Sequence, residues 1–270
     1  MAETPPAPLP VEAPILVTEA GPVVRIALNR PAAGNSLSMA LVSALRACLA
    51  GLAPREEVKV IVLSGMGGRI FSDGHDLNEF HGDPDPAFLA ADFAGITALM
   101  QEVMAQPQIV IAKLEGVATA AGLELVAACD LALASTSARF AVPGVNIGFW
   151  CHTPQVPLSR TVGRKQAMML LATGKLFAAE HALAIGLVNA LHEPEALDGA
   201  VDALVATITG KASSVLRRGK QSFNRQAALP VADAYAFARA QALENIVHPD
   251  AREGIAAFLE KREAKWQGEA

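Results

Sequence analysis

The chain has 270 residues, enough for one large α/β domain or for one domain with a small appendage. Hydrophobic residues make up 52% and charged residues 18%, which excludes a disordered chain; with 5% aromatic residues, a core built mostly from Ala, Val and Leu is expected. The net charge of −5 gives no basis for a nucleic-acid or anionic-membrane partner, and no apolar run reaches the roughly 18 residues of a membrane span.

Residues 1–13 are Pro-rich and acidic and read as a flexible tail, not a secretory signal. Ile15–Glu19 and Val23–Leu28 are expected as strands joined by a turn at Ala20–Pro22. NRPAAGN (Asn29–Asn35) is loop chemistry, and Ser36 reads as the N-cap of a helix running to about Leu52. Val58–Ser64 shows almost no polar alternation and is expected as a strand buried on both faces. A glycine-rich stretch follows to His75, then a helical period over Pro86–Ala105. Ile109–Leu114 reads as a strand, Ala120–Ala128 as a helix and Leu131–Ala134 as a short strand. The recurrence of strand, glycine break and helix at about fifty-residue spacing suggests a stack of ββα-like turns. Beyond Arg164, helices are expected over Lys165–Ala172, Ala178–Ile185, Leu197–Thr209, Ala212–Arg218, Val231–Asn245 and Asp250–Lys265, with a strand-like Leu187–Leu191 between them.

Two segments carry the chemistry. FSDGHDLNEF (Phe71–Phe80) follows the strand-like VKVIVLSG, and GVATAAGLELVAACDLALAS (Gly116–Ser135) follows IVIAKLEG. Each apolar run breaks into small residues, where backbone N–H groups can be left unpaired and aimed at a ligand. One N–H from each break would make an oxyanion hole for a carbonyl whose oxygen gains negative charge. Glu124 lies among Leu123, Leu125 and Val126. A carboxyl so placed has a raised pKa and suits proton transfer near neutral pH; the alternative is a surface glutamate on an amphipathic helix.

At these residues the chain resembles the crotonase, or enoyl-CoA hydratase/isomerase, superfamily. Five segments match in order: VVRIALNRPAAGNSLS (Val23–Ser38), FSDGHDLNEF, GVATAAGLELVAACDLALAS, TGKLFAAEHALAIGLVNAL (Thr173–Leu191) and AFLEKR (Ala257–Arg262). The resemblance implies an α/β fold, a crotonase-like spiral of ββα turns over residues 14–200, with a C-terminal helical trimerisation region over 201–270. It implies a homotrimer or dimer of trimers acting on an acyl-CoA thioester, with coenzyme A entering only as part of the substrate and no other cofactor or metal. By position, the oxyanion donors would be the amides of His75 and Ala121, and Glu124 the general acid/base. Ala33, Asp76, Leu77, Asn78 and Lys261 would contact CoA, with Lys261 reaching a neighbour's ligand; Gly144 and Trp150 would line the substrate.

The family's second glutamate is absent: Phe140-Ala-Val-Pro-Gly144 has glycine where the pattern has an acid, and VNIGFWCHTPQVPL (Val145–Leu158) departs from it as well. This loop resembles the subgroup named for enoyl-CoA hydratase domain-containing protein 3. The family name implies an enoyl-CoA hydratase. The single glutamate fits isomerisation or other enolate chemistry equally, or a catalytically weak acyl-CoA-binding homologue. His152 is a candidate replacement acid and Cys151 a candidate nucleophile; a hydrogen-bonding loop histidine and an inert thiol are the alternatives. The His75 imidazole could line the CoA entrance, Asp76 is expected to fix its loop by bonding nearby amides, and Asp73 reads as a turn residue. GMGG (Gly65–Gly68) lacks the Lys-Ser/Thr ending of a phosphate loop, and Arg217, Arg218 and Lys220 read as a solvated helix face or a contact to CoA phosphates. Three cysteines (Cys48, Cys129, Cys151) without metal-like spacing suit a reducing compartment, and a cytoplasmic location is expected.

Overall fold

The computed structural model describes residues 13–266; the expected tail, apart from Ala13, lies outside them. Two sheets stack along a spiral. The larger has strand order β1 (Ile15–Ala20), β2 (Val23–Leu28), β3 (Val60–Gly65), β5 (Ile109–Leu114), β7 (Leu131–Ser135), β10 (Ala190–His192). Only the β1–β2 hairpin is antiparallel; the other pairs are parallel, with Val60 beside Ile109 and Ile111 beside Leu131. The smaller sheet runs β4 (Ile70–Ser72), β6 (Val117–Thr119), β8 (Arg139–Ala141), β9 (Phe177–Ala178), parallel except at the last pair. Each turn thus takes one long strand, one short strand and then a helix: β3, β4, α2 (Pro86–Ala105), then β5, β6, α3 (Ala121–Ala128).

Burial on both faces explains the missing alternation in β3. Ile61 and Leu63 join the main core with Leu41, Leu45 and Leu49 of α1 (Met39–Leu52) and Ile96 and Leu99 of α2. Val60 and Val62 point the other way, to a second core made with Leu197, Val201 and Val205 of α7 (Leu197–Thr209). The expected domain boundary near residue 200 falls inside this helix. Between long and short strands the chain doubles back so closely that only glycine fits. A Cβ on Gly65 would lie 2.6 Å from the Phe71 carbonyl oxygen, and one on Gly116 would lie 2.0 Å from that of Arg69.

Several expectations need correction. The cap of α1 is Ser38, whose hydroxyl accepts from Leu41 N, whereas Ser36 accepts from the Arg30 guanidinium. Lys220 is not on a solvated face: it is buried on α8 (Ser213–Gln226), 2.6 Å from Asp130, and also donates to the Gln108 carbonyl. Arg217 donates to the Ala53 carbonyl. The helix α2 is 20 residues long and apolar enough by composition to cross a membrane. It carries a buried acid, Asp92, and Glu102, which pairs with Arg46 of α1, and its other core-facing residues pack on the main core. A short helix α4 (Gln155–Thr161) was not anticipated; it is followed by α5 (Arg164–Thr173) and α6 (Ala179–Ala184). The chain closes with α9 (Val231–Ile246), which has no buried residue, and α10 (Pro249–Glu260), which stops at left-handed Lys261.

Candidate active site at two converging turns

The loop after β2 is locked before anything binds to it. Asn35 donates to the carbonyls of Met66 and Ile70 and accepts from Arg30 N. Arg30 in turn donates to Ser36 and, at 2.9 Å, to Asp76. Asp76 caps a short 3-10 turn (Leu77–Phe80), accepting from both the backbone and side-chain nitrogens of Asn78. Burial alone would raise this carboxyl, but the bonds from Arg30 and Asn78 hold it below its ordinary value. A cleft of about 570 Å³ opens against these residues, lined by Ala33, Met66, Arg69, His75, Asp76 and Asn78 among others. Leu77 projects at its edge, 57% exposed. Asp73 beside it is pushed up to about 6 by partial burial.

At the inner end of the cleft, the two glycine-interrupted turns meet. Leu37 N donates to the Gly74 carbonyl, Asp73 N to Gly34, Ala120 N to Ala141 and Glu124 N to Ala120. The Thr119 hydroxyl ties the turns together through the Asp73 carbonyl. Among the described residues, the amides of His75 and Ala121 donate to no protein acceptor. They lie close together: a Cβ on Gly74 would sit 2.9 Å from the Ala121 nitrogen. Ala120 holds φ 48° and ψ −123°, a conformation nearly reserved for glycine and strained in alanine. Gly122 then lets the start of α3 rest on β4, since a Cβ there would fall 2.2 Å from the Ser72 carbonyl oxygen.

All eight residues of α3 are buried, Glu124 included. Glu124 is 2% exposed, and its Oε2 accepts from the Thr153 hydroxyl at 2.9 Å. Burial pushes the carboxyl up to about 7, against the smaller opposing pull of that bond. The surface alternative for Glu124 is therefore set aside.

The loop that follows Pro143 packs against this region, its Thr153 bonded to Glu124. Phe149 N donates to the Gly144 carbonyl, and the Cys151 sulfur lies beside Gly144. A Cβ on Gly144 would lie 2.4 Å from the Phe149 carbonyl oxygen and 2.7 Å from Cys151 Sγ, so position 144 has no space for a side chain. The Cys151 thiol is buried and pushed upward by that burial, which suits an inert thiol. The Trp150 indole is half-buried and donates to Gln155. His152 is exposed, edge-on to Phe149; the side chain bonded to Glu124 is its neighbour Thr153. Lys261 lies at the end of α10 and is not part of the cleft lining.

On the opposite wall, the His75 ring is packed by Phe80 and Phe93, with centroids 5.4 and 5.0 Å away, and Phe149 reaches Phe93. His75 Nε2 is 3.5 Å from Asp92 Oδ2. Sequence reasoning missed Thr153, Arg30 and Asp92. Asp92 left a signal: it shares a helical face with Ile96, Leu99 and Val103, where an acid is out of place. Among the described residues, no group of three His, Cys, Asp or Glu is placed to hold a metal ion.

The Enoyl-CoA hydratase/isomerase family profile matches residues 18–269. The chain is 40% identical over 251 residues to zebrafish (Danio rerio) "Enoyl-CoA hydratase domain-containing protein 3, mitochondrial", covering 93% of this chain and 86% of that protein. It is similar to a crystal structure of enoyl-CoA hydratase from Mycobacterium smegmatis, with TM-score 0.92 and 42% identity over 94% of this chain and 99% of that one. Human enoyl-CoA hydratase domain-containing protein 3 superposes with TM-score 0.91 at 35% identity, over 94% of this chain and 100% of that one. With profile, relatives and fold in agreement over nearly its whole length, the chain belongs to the enoyl-CoA hydratase/isomerase family.

Proposed function

We propose that this chain forms and quenches an enolate on an acyl-CoA thioester. The observation that carries the reading is the pair of unspent amides, His75 N–H and Ala121 N–H, beside one buried carboxyl held near neutrality. Two fixed donors stabilise charge on the thioester oxygen without reorganising, each contributing on the order of 3 kcal/mol in such sites. Glu124 takes the proton from carbon and returns it. The cleft along Ala33, Asp76, Leu77 and Asn78 receives the CoA portion.

Position 144 offers no room for a second acid. This favours single-base chemistry, such as double-bond isomerisation, over hydration, which in this family uses two carboxylates on one water. The same feature supports the runner-up, an acyl-CoA-binding homologue with little turnover. For assembly, we infer a trimer or a dimer of trimers. The exposed apolar side chains Tyr235, Leu243, Phe258 and Leu259 of α9 and α10 suit burial between copies, which would also bring Lys261 toward a neighbour's cleft. Three free thiols fit a reducing compartment. That class includes the cytoplasm and the mitochondrial interior, where the zebrafish relative's name places that protein.

The test is a mass-spectrometric screen of acyl-CoAs for water gain, isomerisation and loss of carbon dioxide or CoA, repeated with Glu124→Gln. Turnover is expected to fall by about 10²–10⁴-fold in the variant. Unchanged turnover removes Glu124 from the mechanism, and binding without turnover by the unaltered chain establishes the runner-up.

A further inference from the structure

Asp92 is the lone acid on the core-facing stripe of α2, and it is 2% exposed. Its Oδ2 has no hydrogen-bond partner, and neither has the enclosed His75 Nε2 that faces it at 3.5 Å. A third buried atom, Glu79 Oε2, is likewise unpaired. Buried polar atoms without partners are costly to keep and are rare in structures, so the facing pair on His75 and Asp92, with Glu79 acting on Asp92, points to a use.

The surroundings narrow that use. Phe80 and Phe93 pack on the His75 ring, and Phe149 closes on Phe93 from the loop whose carbonyl fills the space at position 144. The loop rearrangement that leaves no room for an acid at 144 therefore also builds the shell around His75. The ring leaves the backbone at the residue whose own amide faces the thioester oxygen in the enolate reading. In that reading the acyl group binds beside the residue that carries the imidazole.

We propose that His75 and Asp92 form a proton relay to the acyl group, with His75 the catalytic residue that touches substrate and Asp92 the positioning residue behind it. The relay rests on the enolate reading and adds a second proton-handling group to it. In the starting state Glu124 is a carboxylate, Asp92 is protonated and closes the 3.5 Å gap to donate to Nε2, and Nδ1 carries a proton. Glu124 takes a proton from one carbon: the C–H bond breaks, its pair moves onto the thioester oxygen, and Glu124 becomes a carboxylic acid. The enolate pair then forms a C–H bond at a different carbon with the proton from Nδ1, while the Asp92 proton passes to Nε2. The imidazole stays neutral and changes tautomer, Asp92 ends as a carboxylate, and exchange with water resets both acids. Burial keeps the imidazole neutral, moving His75 down to about 4, and moves Asp92 up to about 6, with Glu79 adding to the rise; against Glu124 at about 7, the starting state is the minor of the two ways to place one proton on the two acids, about one in ten. The acyl class this serves is an enoyl thioester whose double bond moves between the 3,4 and 2,3 positions.

The test uses the full chain and two CoA esters. Butyryl-CoA in D₂O reports α-proton exchange, the step assigned to Glu124 alone. trans-3-Hexenoyl-CoA reports complete isomerisation. Asp92→Asn is expected to keep α-exchange within about threefold of the unaltered chain while its kcat for isomerisation drops about 100-fold at nearly constant KM. His75→Gln retains the backbone amide and is expected to lose kcat to a similar extent, which keeps the relay testable should Asp92→Asn fold poorly. Isomerisation at the original kcat in either folded variant, or a raised KM with kcat intact, overturns the relay. Absence of α-exchange in the unaltered chain overturns the enolate reading itself, an outcome distinct from exchange that survives Asp92→Asn together with full isomerisation.

Discussion

The two walls of the cleft follow opposite rules. On one, Arg30, Asn35, Asp76 and Asn78 are joined in one hydrogen-bonded network, so the turn stands ready without a ligand. On the other, His75, Glu79 and Asp92 keep buried atoms unpaired inside an aromatic shell. A satisfied network supplies position, and an unsatisfied one leaves capacity for a group still to arrive. In the proposed reading, the first wall holds the part of the substrate that does not react and the second meets the part that does.

Five substitutions sharpen or break that division. The largest effect is expected where both walls hang on one contact. Gly122→Ala drives a methyl group onto the Ser72 carbonyl and should destabilise the fold by about 3 kcal/mol, read by denaturant melts. Normal stability would mean that α3 can slide along β4. Next, Asp76→Ala empties the centre of the satisfied wall; KM for acyl-CoA should rise about tenfold, a loss of about 1.4 kcal/mol, with kcat retained. A fall in kcat instead would erase the division.

On the reacting wall, Thr153→Val removes the bond that pulls the Glu124 carboxyl down. The midpoint of the pH–rate profile, expected near 7, should then move up, so activity at pH 7 falls and alkaline activity survives. The same group shapes stability. Its folded-state value lies above the ordinary 4.5, so its contribution is fully present below that pH and is lost as pH rises through about 7. Glu124→Gln should flatten that slope in thermal melts across the range. The smallest effect is expected from Ala120→Gly, which relieves the strained backbone between the walls and should stabilise by about 1 kcal/mol, partly offset by glycine's freer unfolded chain.

Long elements with a clear period were legible. Pro86–Ala105, Ile109–Leu114 and Leu197–Thr209 are spaced so regularly that reading and structure agree in their bounds. The short strands β4, β6, β8 and β9 were not, because two or three residues carry no period and their partners are distant in sequence. The helix α4 was hidden by Pro154 and Pro157 at its start. Ser36 and Ser38 are equivalent caps by type; only the reach of the Arg30 side chain separates their roles. In the site, Glu124 stood out as an acid among apolar neighbours, and the glycine breaks marked the amides. Thr153 did not, since its partner Glu124 comes from another turn of the spiral; Asp92 left its signal on an apolar helical face, but the irregular loop that brings His75 to it within the same turn carries no period.

The sealed backbone around Gly144 has a consequence for how such a chain can change over generations. An acidic codon is a single base away from some glycine codons, so genetics does not guard the position. The guard is the Phe149 carbonyl and the Cys151 sulfur, which occupy the volume that a new side chain would enter. Gaining an acid there therefore has an order: the stretch from 149 to 151 must be rebuilt first, and until then every substitution at 144 is a packing defect before it is a change of chemistry.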